Sequence, residues 1–143
     1  PDTSRAAVLA ALIDPQRAVR ISAIVSLING RGEPLGPGDT ARFRFVGAEF
    51  AARARLHEDD AVIQRDLGMV QLLSDRFDPA ADALQISLGL EPDQPSVKFL
   101  LALARLGQRR VDEARTLLKQ VPSTDPYFKL AQERLKQLEP LRR

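Results

Sequence analysis

A shift of 34 residues lays this chain on itself without a gap. Leu67 falls on Leu101, Leu72 on Leu106, Arg76 on Arg110, Asp78 on Asp112, Ala80 on Ala114, Leu84 on Leu118 and Pro92 on Pro126. The near-matches preserve size: Gly68 with Ala102, Met69 with Leu103, Phe77 with Val111. Self-similarity at a fixed period of roughly 20 to 50 residues marks a repeat architecture. In such a fold one unit cannot bury its own apolar face, and stacking of like units makes a continuous core.

Each unit reads as two antiparallel helices. The first spans Ala61 to Leu73 and Phe77 to Leu90, the second Ser96 to Leu106 and Val111 to Val121. Gly68 and Ala102 stand where the first helix of each pair must approach a neighbour closely, and Ala80 and Ala114 do the same for the second helix. A larger side chain at any of the four would force the axes apart. Pro92 and Pro126 close the units, because proline cannot continue a helix interior but suits a following first turn. Composition agrees. The chain has 143 residues, enough for one sizeable core, so one domain or one stack is expected. It is 44% hydrophobic with only 5% aromatics and no Trp, so aliphatic and small side chains must pack the helices.

The spacing Leu67-Gly68, Phe77, Ala80, Leu84, Pro92, and again Leu101-Ala102, Val111, Ala114, Leu118, Pro126, resembles the tetratricopeptide repeat. The resemblance implies an all-α fold: a right-handed α-solenoid of stacked antiparallel helix pairs. The chain departs from the family at Gln64 and Lys98, and at Gln71 and Arg105, where large aromatics are usual. Packing of the first helix of each pair is therefore expected to be shifted or looser than the family implies. After the second unit, "DPYFKLAQERLKQLEP" reads as a polar-faced capping helix, with Asp125 as N-cap, Pro126 at the first helical position, and Leu130, Leu135 and Leu138 near helical spacing. Upstream, Phe43, Val46, Phe50 and Ala54 form one stripe of a further helix.

The amino-terminal third has a different pattern. A short apolar helix is expected from about Ser4 to Ile13, then Asp14 as N-cap, Pro15, and a second helix to about Ile28, ended by Asn29-Gly30. The Asp-Pro followed by Val19-Arg20 resembles a HEAT repeat, in which such Asp and Arg residues bond between neighbouring units. Arg17 and Arg20 read equally as exposed helix charge. "GRGEPLGPGD", Gly30 to Asp39, has four glycines and two prolines and is a turn-rich connector. The expected organisation is a HEAT-like pair over 1–30, a connector over 31–39, and a repeat stack with its capping helix over 40–143, all one continuous stack. A HEAT-like pair followed by "AEFAARARLHEDDAVIQRDLG" also resembles the carboxyl-terminal region of bacterial multihaem c-type cytochromes that carry tetratricopeptide repeats. In that family the CxxCH motifs lie in a preceding domain, and the likeness implies a periplasmic location; without it the cytoplasm fits as well.

Chemistry is sparse. Twenty-one Lys and Arg oppose 19 Asp and Glu, a net charge of +2 with both signs interspersed along every candidate helix, so the charges read as solvated faces and no nucleic-acid partner is expected. In "RFRF", Arg42 to Phe45, the two rings would point about 200° apart on a helix, which argues for packing over base stacking. With no Cys, the chain holds no disulfide, no CxxCH haem attachment and no thiolate metal site. No cofactor and no metal ligand set is expected in this segment. His57, the single histidine, sits in "RLHEDD" at a helix end, where the helix C-terminus favours it, and Glu58, Asp59 and Asp60 read as a solvated acidic turn without the spacing of a hard-ion loop. There is no GxSxG, P-loop or GxGxxG, and no catalytic set is expected. No window approaches the ~18 apolar residues of a membrane span. The start, "PDTSRAAVLAALIDP", has no basic segment with a cleavage site and reads as a piece of something longer.

What remains is a surface. The resemblance to the tetratricopeptide repeat implies an inner face lined by Val62, Arg65, Met69 and Leu72, then Phe99, Leu103 and Leu106. Apart from Arg65, the cations that grip an acidic peptide terminus are missing. Two readings follow. Either the face buries an apolar helix or loop from a partner protein or from another domain of the parent chain, or those side chains pack inside the stack. The functional expectation is a non-catalytic protein–protein interaction module, docking a partner or organising a larger, possibly haem-bearing, protein. The alternative is an intramolecular appendage that positions or shields an adjacent catalytic or cytochrome domain, with no external ligand.

Overall fold

The computed structural model describes residues 54–94 and 96–139, together with Ala11, Gln16, Ala48, Ala51 and Ala52. Of the HEAT-like pair only Ala11 and Gln16 are described; the Gly30–Asp39 connector, the Arg42–Phe45 run and the stripe residues Phe43, Val46 and Phe50 lie outside the described residues, whereas Ala54 of that stripe is described and buried.

Residues 54–56 are helical, and five helices follow: α1 (Ala61–Leu73), α2 (Phe77–Leu90), α3 (Val97–Gly107), α4 (Val111–Lys119) and α5 (Phe128–Leu138). Among the described residues there is no strand. Helix α1 packs on α2, α2 on α3, α3 on α4 and α4 on α5, with α1 also touching α3. Contacts between chain neighbours and to the equivalent helix of the next pair make this an all-α repeat solenoid.

The helices begin and end for local reasons. Asp60 caps α1: its Oδ1 accepts from the amides of Val62 at 2.9 Å and Ile63 at 3.1 Å, satisfying two of the donors a helix start leaves free. Helices α1 and α3 end in the same motif. Asp75 and Arg109, one repeat apart, both take positive φ, at 55° and 63°. The next amide then reaches back five residues: Arg76 N–H donates to Gln71 O at 2.9 Å and Arg110 N–H to Arg105 O at 2.8 Å. With Asp75 N–H on Leu72 O and Arg109 N–H on Leu106 O, these are two Schellman caps, each built on a residue other than glycine. Helix α2 stops before Pro92, which holds Glu91 extended at φ −136° and ψ 90°.

The close-approach positions behave as their size demands. A Cβ at Gly68 would lie 2.5 Å from Leu84 Cγ and 3.3 Å from Ala80 O. Ala80, Ala102, Ala114, Leu84 and Leu118 are all fully buried, so α1–α2 and α3–α4 are packed through small residues facing leucines. Ser87 completes the first pair: its hydroxyl donates to Ala61 O at 2.7 Å and accepts from Gln94 Nε2 at 2.6 Å, tying the start of α1 to the end of α2 and its following turn.

Four boundaries differ from the sequence reading, one of them the end of α3 at Gly107, one residue past Leu106. Helix α3 starts at Val97, one residue late, because Ser96 adopts φ 71° to present its amide to Asp125. Helix α4 ends at Lys119, where Gln120 and Val121 turn back on Leu117 and Leu118. Asp125 and Pro126 do not open α5, which begins at Phe128 after Tyr127 as N-cap. Asp125 instead accepts from Ser96 N–H at 2.8 Å, Ser96 Oγ at 3.2 Å and Tyr127 N–H at 2.8 Å, joining the start of α3 to the approach to α5. Helix α5 buries Ala131 and Leu138, half-buries Leu130 and Leu135, and leaves its polar face exposed.

Candidate partner-binding site

Helices α1 and α3 carry the seven candidate groove residues, and the structure divides them. Met69, Leu72 and Phe99 are buried, at 3%, 9% and 2% exposure, whereas Val62, Arg65, Leu103 and Leu106 are half-buried. The division cuts across the repeat. Met69 is repeat-equivalent to Leu103 and Leu72 to Leu106, so at these two positions the first unit is covered and the second open. At the third position the order reverses: Arg65 is partly accessible and Phe99 is not.

Phe99 is withdrawn by a specific partner. Its ring stacks on buried Tyr127, with centroids 4.8 Å apart and planes 7° from parallel. Such a pair contributes roughly 0.5–1.5 kcal/mol beyond the area it buries. Tyr127 therefore belongs to the floor beneath the α3 face. The sequence reading missed it because it lies 28 residues from Phe99, in a turn that carries no periodicity. Arg65 Nη2 lies 3.5 Å from Oδ1 of buried Asp66, so the only cation of the set is held by an adjacent carboxylate.

Arg105 and Gln71, at positions where the resemblance implies large aromatics, are placed differently from one another. Arg105 is buried along its stem. Its guanidinium sits 3.1 Å from Glu113 Oε2 and donates to Gln108 Oε1 at 2.8 Å. Gln108 Nε2 then donates to Asp78 Oδ1 at 2.7 Å, at the start of α2. This chain of four side chains joins α2, α3 and α4 at the end of α3 that carries Leu103 and Leu106. Its members were legible as polar residues, but not as a network, because Asp78 and Gln108 are 30 residues apart. Gln71, at the equivalent place in α1, is half-buried, and its Oε1 has no hydrogen-bond partner.

The remaining candidates stay at the surface. His57 follows the last helical residue, Leu56, and is exposed, as are Glu58 and Asp59. Asp60, read as part of an acidic turn, is the α1 cap instead. Among the described residues no group of His, Asp and Glu is arranged to hold a metal ion, and no helix is long and apolar enough to cross a membrane.

A family model described as tetratricopeptide repeat matches residues 71–138, just under half of the chain, from the last turn of α1 to the end of α5. Residues 71–138 carry tetratricopeptide-type repeats. The 34-residue repeat and the paired Schellman turns extend the same pattern back over α1, so the described stack is two helix pairs and a further helix. No curated protein and no solved structure matches the chain. Tetratricopeptide repeats generally mediate protein–protein interaction and are generally non-catalytic.

Proposed function

We propose that this chain is a non-catalytic interaction module whose α1 and α3 face docks an apolar helix or loop of a partner protein, or of another domain of its parent chain. The observation that carries the reading is the half-exposure of Leu103 and Leu106, beside Val62 and Arg65, on the helices that line the inner face of a tetratricopeptide stack. Leucines one turn apart, packed against the core that holds the stacked Phe99 and Tyr127, offer an apolar strip, the form of surface an amphipathic helix fits. The sequence resemblance to repeat-bearing multihaem cytochromes supports a larger haem-bearing protein, and the periplasm, as the setting.

The test uses wild type and a Leu103→Glu plus Leu106→Glu variant as baits, with helicity checked by circular dichroism. A photocrosslinker placed at Val62 identifies what lies on the face. One defined partner, crosslinked to the wild type and lost from the folded variant, is the expected result. Equal retention by both baits would remove the face from the mechanism. Met69, Leu72 and Phe99 pack inside the stack, which narrows the face to Val62, Arg65, Leu103 and Leu106. The second reading, an intramolecular appendage with no external ligand, predicts crosslinks only within the parent chain.

A further inference from the structure

We infer that the edge of the stack where the two interhelical turns meet is a second binding surface, and that its occupant is an acidic, apolar-containing peptide segment of another protein. A cleft of about 670 Å³ opens there between the turn joining α1 to α2 and the turn joining α3 to α4. Arg76, Arg109 and Arg110 line it, all three exposed. Arg110 approaches Glu113 at only 3.7 Å, and neither Arg76 nor Arg109 has an ion-pair partner among the described residues. Half-buried Phe77, lying against Gly107, and Pro79 supply the apolar part of the lining.

The fold gives no reason for these arginines. Arg76 and Arg110 are repeat-equivalent and occupy the N-cap positions of α2 and α4, yet neither side chain makes a capping bond. Ser, Thr, Asp or Asn would cap better there. Arg109 takes φ 63°, where glycine is the stable choice. Three positions at which local stability asks for another residue all carry guanidinium, and all three face one cleft. Two helix N-termini without side-chain caps add partial positive charge at the same edge.

The lining also limits the occupant. Asp75 and Asp78 share the cleft, and Asp78 is already engaged by Gln108. A polyphosphate backbone would meet those carboxylates along its length. A peptide sets one or two carboxylates on the guanidinium forks and an apolar side chain on Phe77, and so avoids them. The cleft shares no residue with the α1 and α3 face, so the two surfaces stand or fall separately.

The experiment is fluorescence anisotropy with the 143-residue protein and a fluorescein-labelled Glu-Leu-Asp-Glu-Phe-Asp peptide. The Gln/Asn version of the peptide and a labelled oligothymidine run beside it. An Arg76→Gln plus Arg109→Gln variant changes only exposed side chains; Arg134→Gln and Lys136→Gln, at exposed positions of α5, are the controls. Charge-paired recognition at this site predicts binding weakened about tenfold or more in the double variant, with both controls within about twofold of wild type and the amide peptide unbound. Absence of acidic-peptide binding, or an equal loss in Arg134→Gln, overturns the proposal. So does oligothymidine binding as tight as the acidic peptide and dependent on the same arginines, which would assign the cleft to nucleic acid.

Discussion

Arg109 and Gly107 show how much of this protein is decided two residues at a time. Arg109 holds a left-handed backbone to complete the α3 cap, and an L-residue there costs roughly 1–2 kcal/mol. Arg109→Gly should raise stability by about 0.5–1 kcal/mol after glycine's extra unfolded-state entropy is subtracted. A higher midpoint in urea denaturation checks it, and an unchanged or lower one would mean the arginine makes a compensating contact. Gly107 is the opposite case. Helix propensity alone favours Gly107→Ala by about 1 kcal/mol, but the new Cβ would overlap the Phe77 ring, and overpacking costs about 1–3 kcal/mol. The net should be destabilising. Replacing Phe77 with valine, the residue its repeat-equivalent Val111 already uses, should recover most of the loss in the double variant, and simple additivity would refute the clash. Neither position was readable beforehand: a left-handed arginine leaves no mark in a sequence, whereas Gly68 was legible because a small residue recurs one repeat later at Ala102.

At the scale of elements, periodicity located helices well and their junctions poorly. The bounds Ala61–Leu73 and Phe77–Leu90 follow from apolar spacing and from Pro92, both local signals. The starts of α3 and α5 are set by a bond between residues 29 apart, Ser96 to Asp125, which no local pattern contains. Asp125 looked like a helix cap and is a clamp between helices. Removing it leaves Ser96 at φ 71° without the bond that rewards that conformation. Asp125→Ala should therefore cost about 1–3 kcal/mol, with hydrogen exchange accelerating in the first turns of α3 and α5 and much less in α1. Asp125→Asn, which keeps one carbonyl acceptor, should lose less. Equal effects of the two substitutions would show that the junction needs both oxygens of the charged carboxylate, because the amide keeps the side chain's shape and one acceptor. The groove residues illustrate the same limit. Their register assigned Met69, Leu72, Phe99, Leu103 and Leu106 to one face, but which of them is covered depends on partners such as Tyr127 that the register does not include.

Across the whole molecule, stability should be distributed in nearest-neighbour fashion. Helix α5 rests mainly on α4, and α2 is packed between α1 and α3. In a stack of this kind a break at the end can open without opening the middle. Tyr127 makes the idea measurable, since it is the only tyrosine and there is no tryptophan, so tyrosine fluorescence reports the α4–α5 junction while far-ultraviolet circular dichroism reports all helices. Ala131 is fully buried in α5, and Ala131→Asp places a carboxylate there without a built partner. The expected outcome is a tyrosine transition displaced to lower urea than the dichroism transition, the two having coincided in wild type. Leu84→Ala, in the middle of the stack, should instead cost about 2–5 kcal/mol and move both transitions together. If Ala131→Asp also shifts both probes in concert, the two pairs and α5 form one cooperative unit. The α3 face would then be coupled to the end of the stack, and a partner docked on Leu103 and Leu106 would stabilise α5 as strongly as the helices it touches.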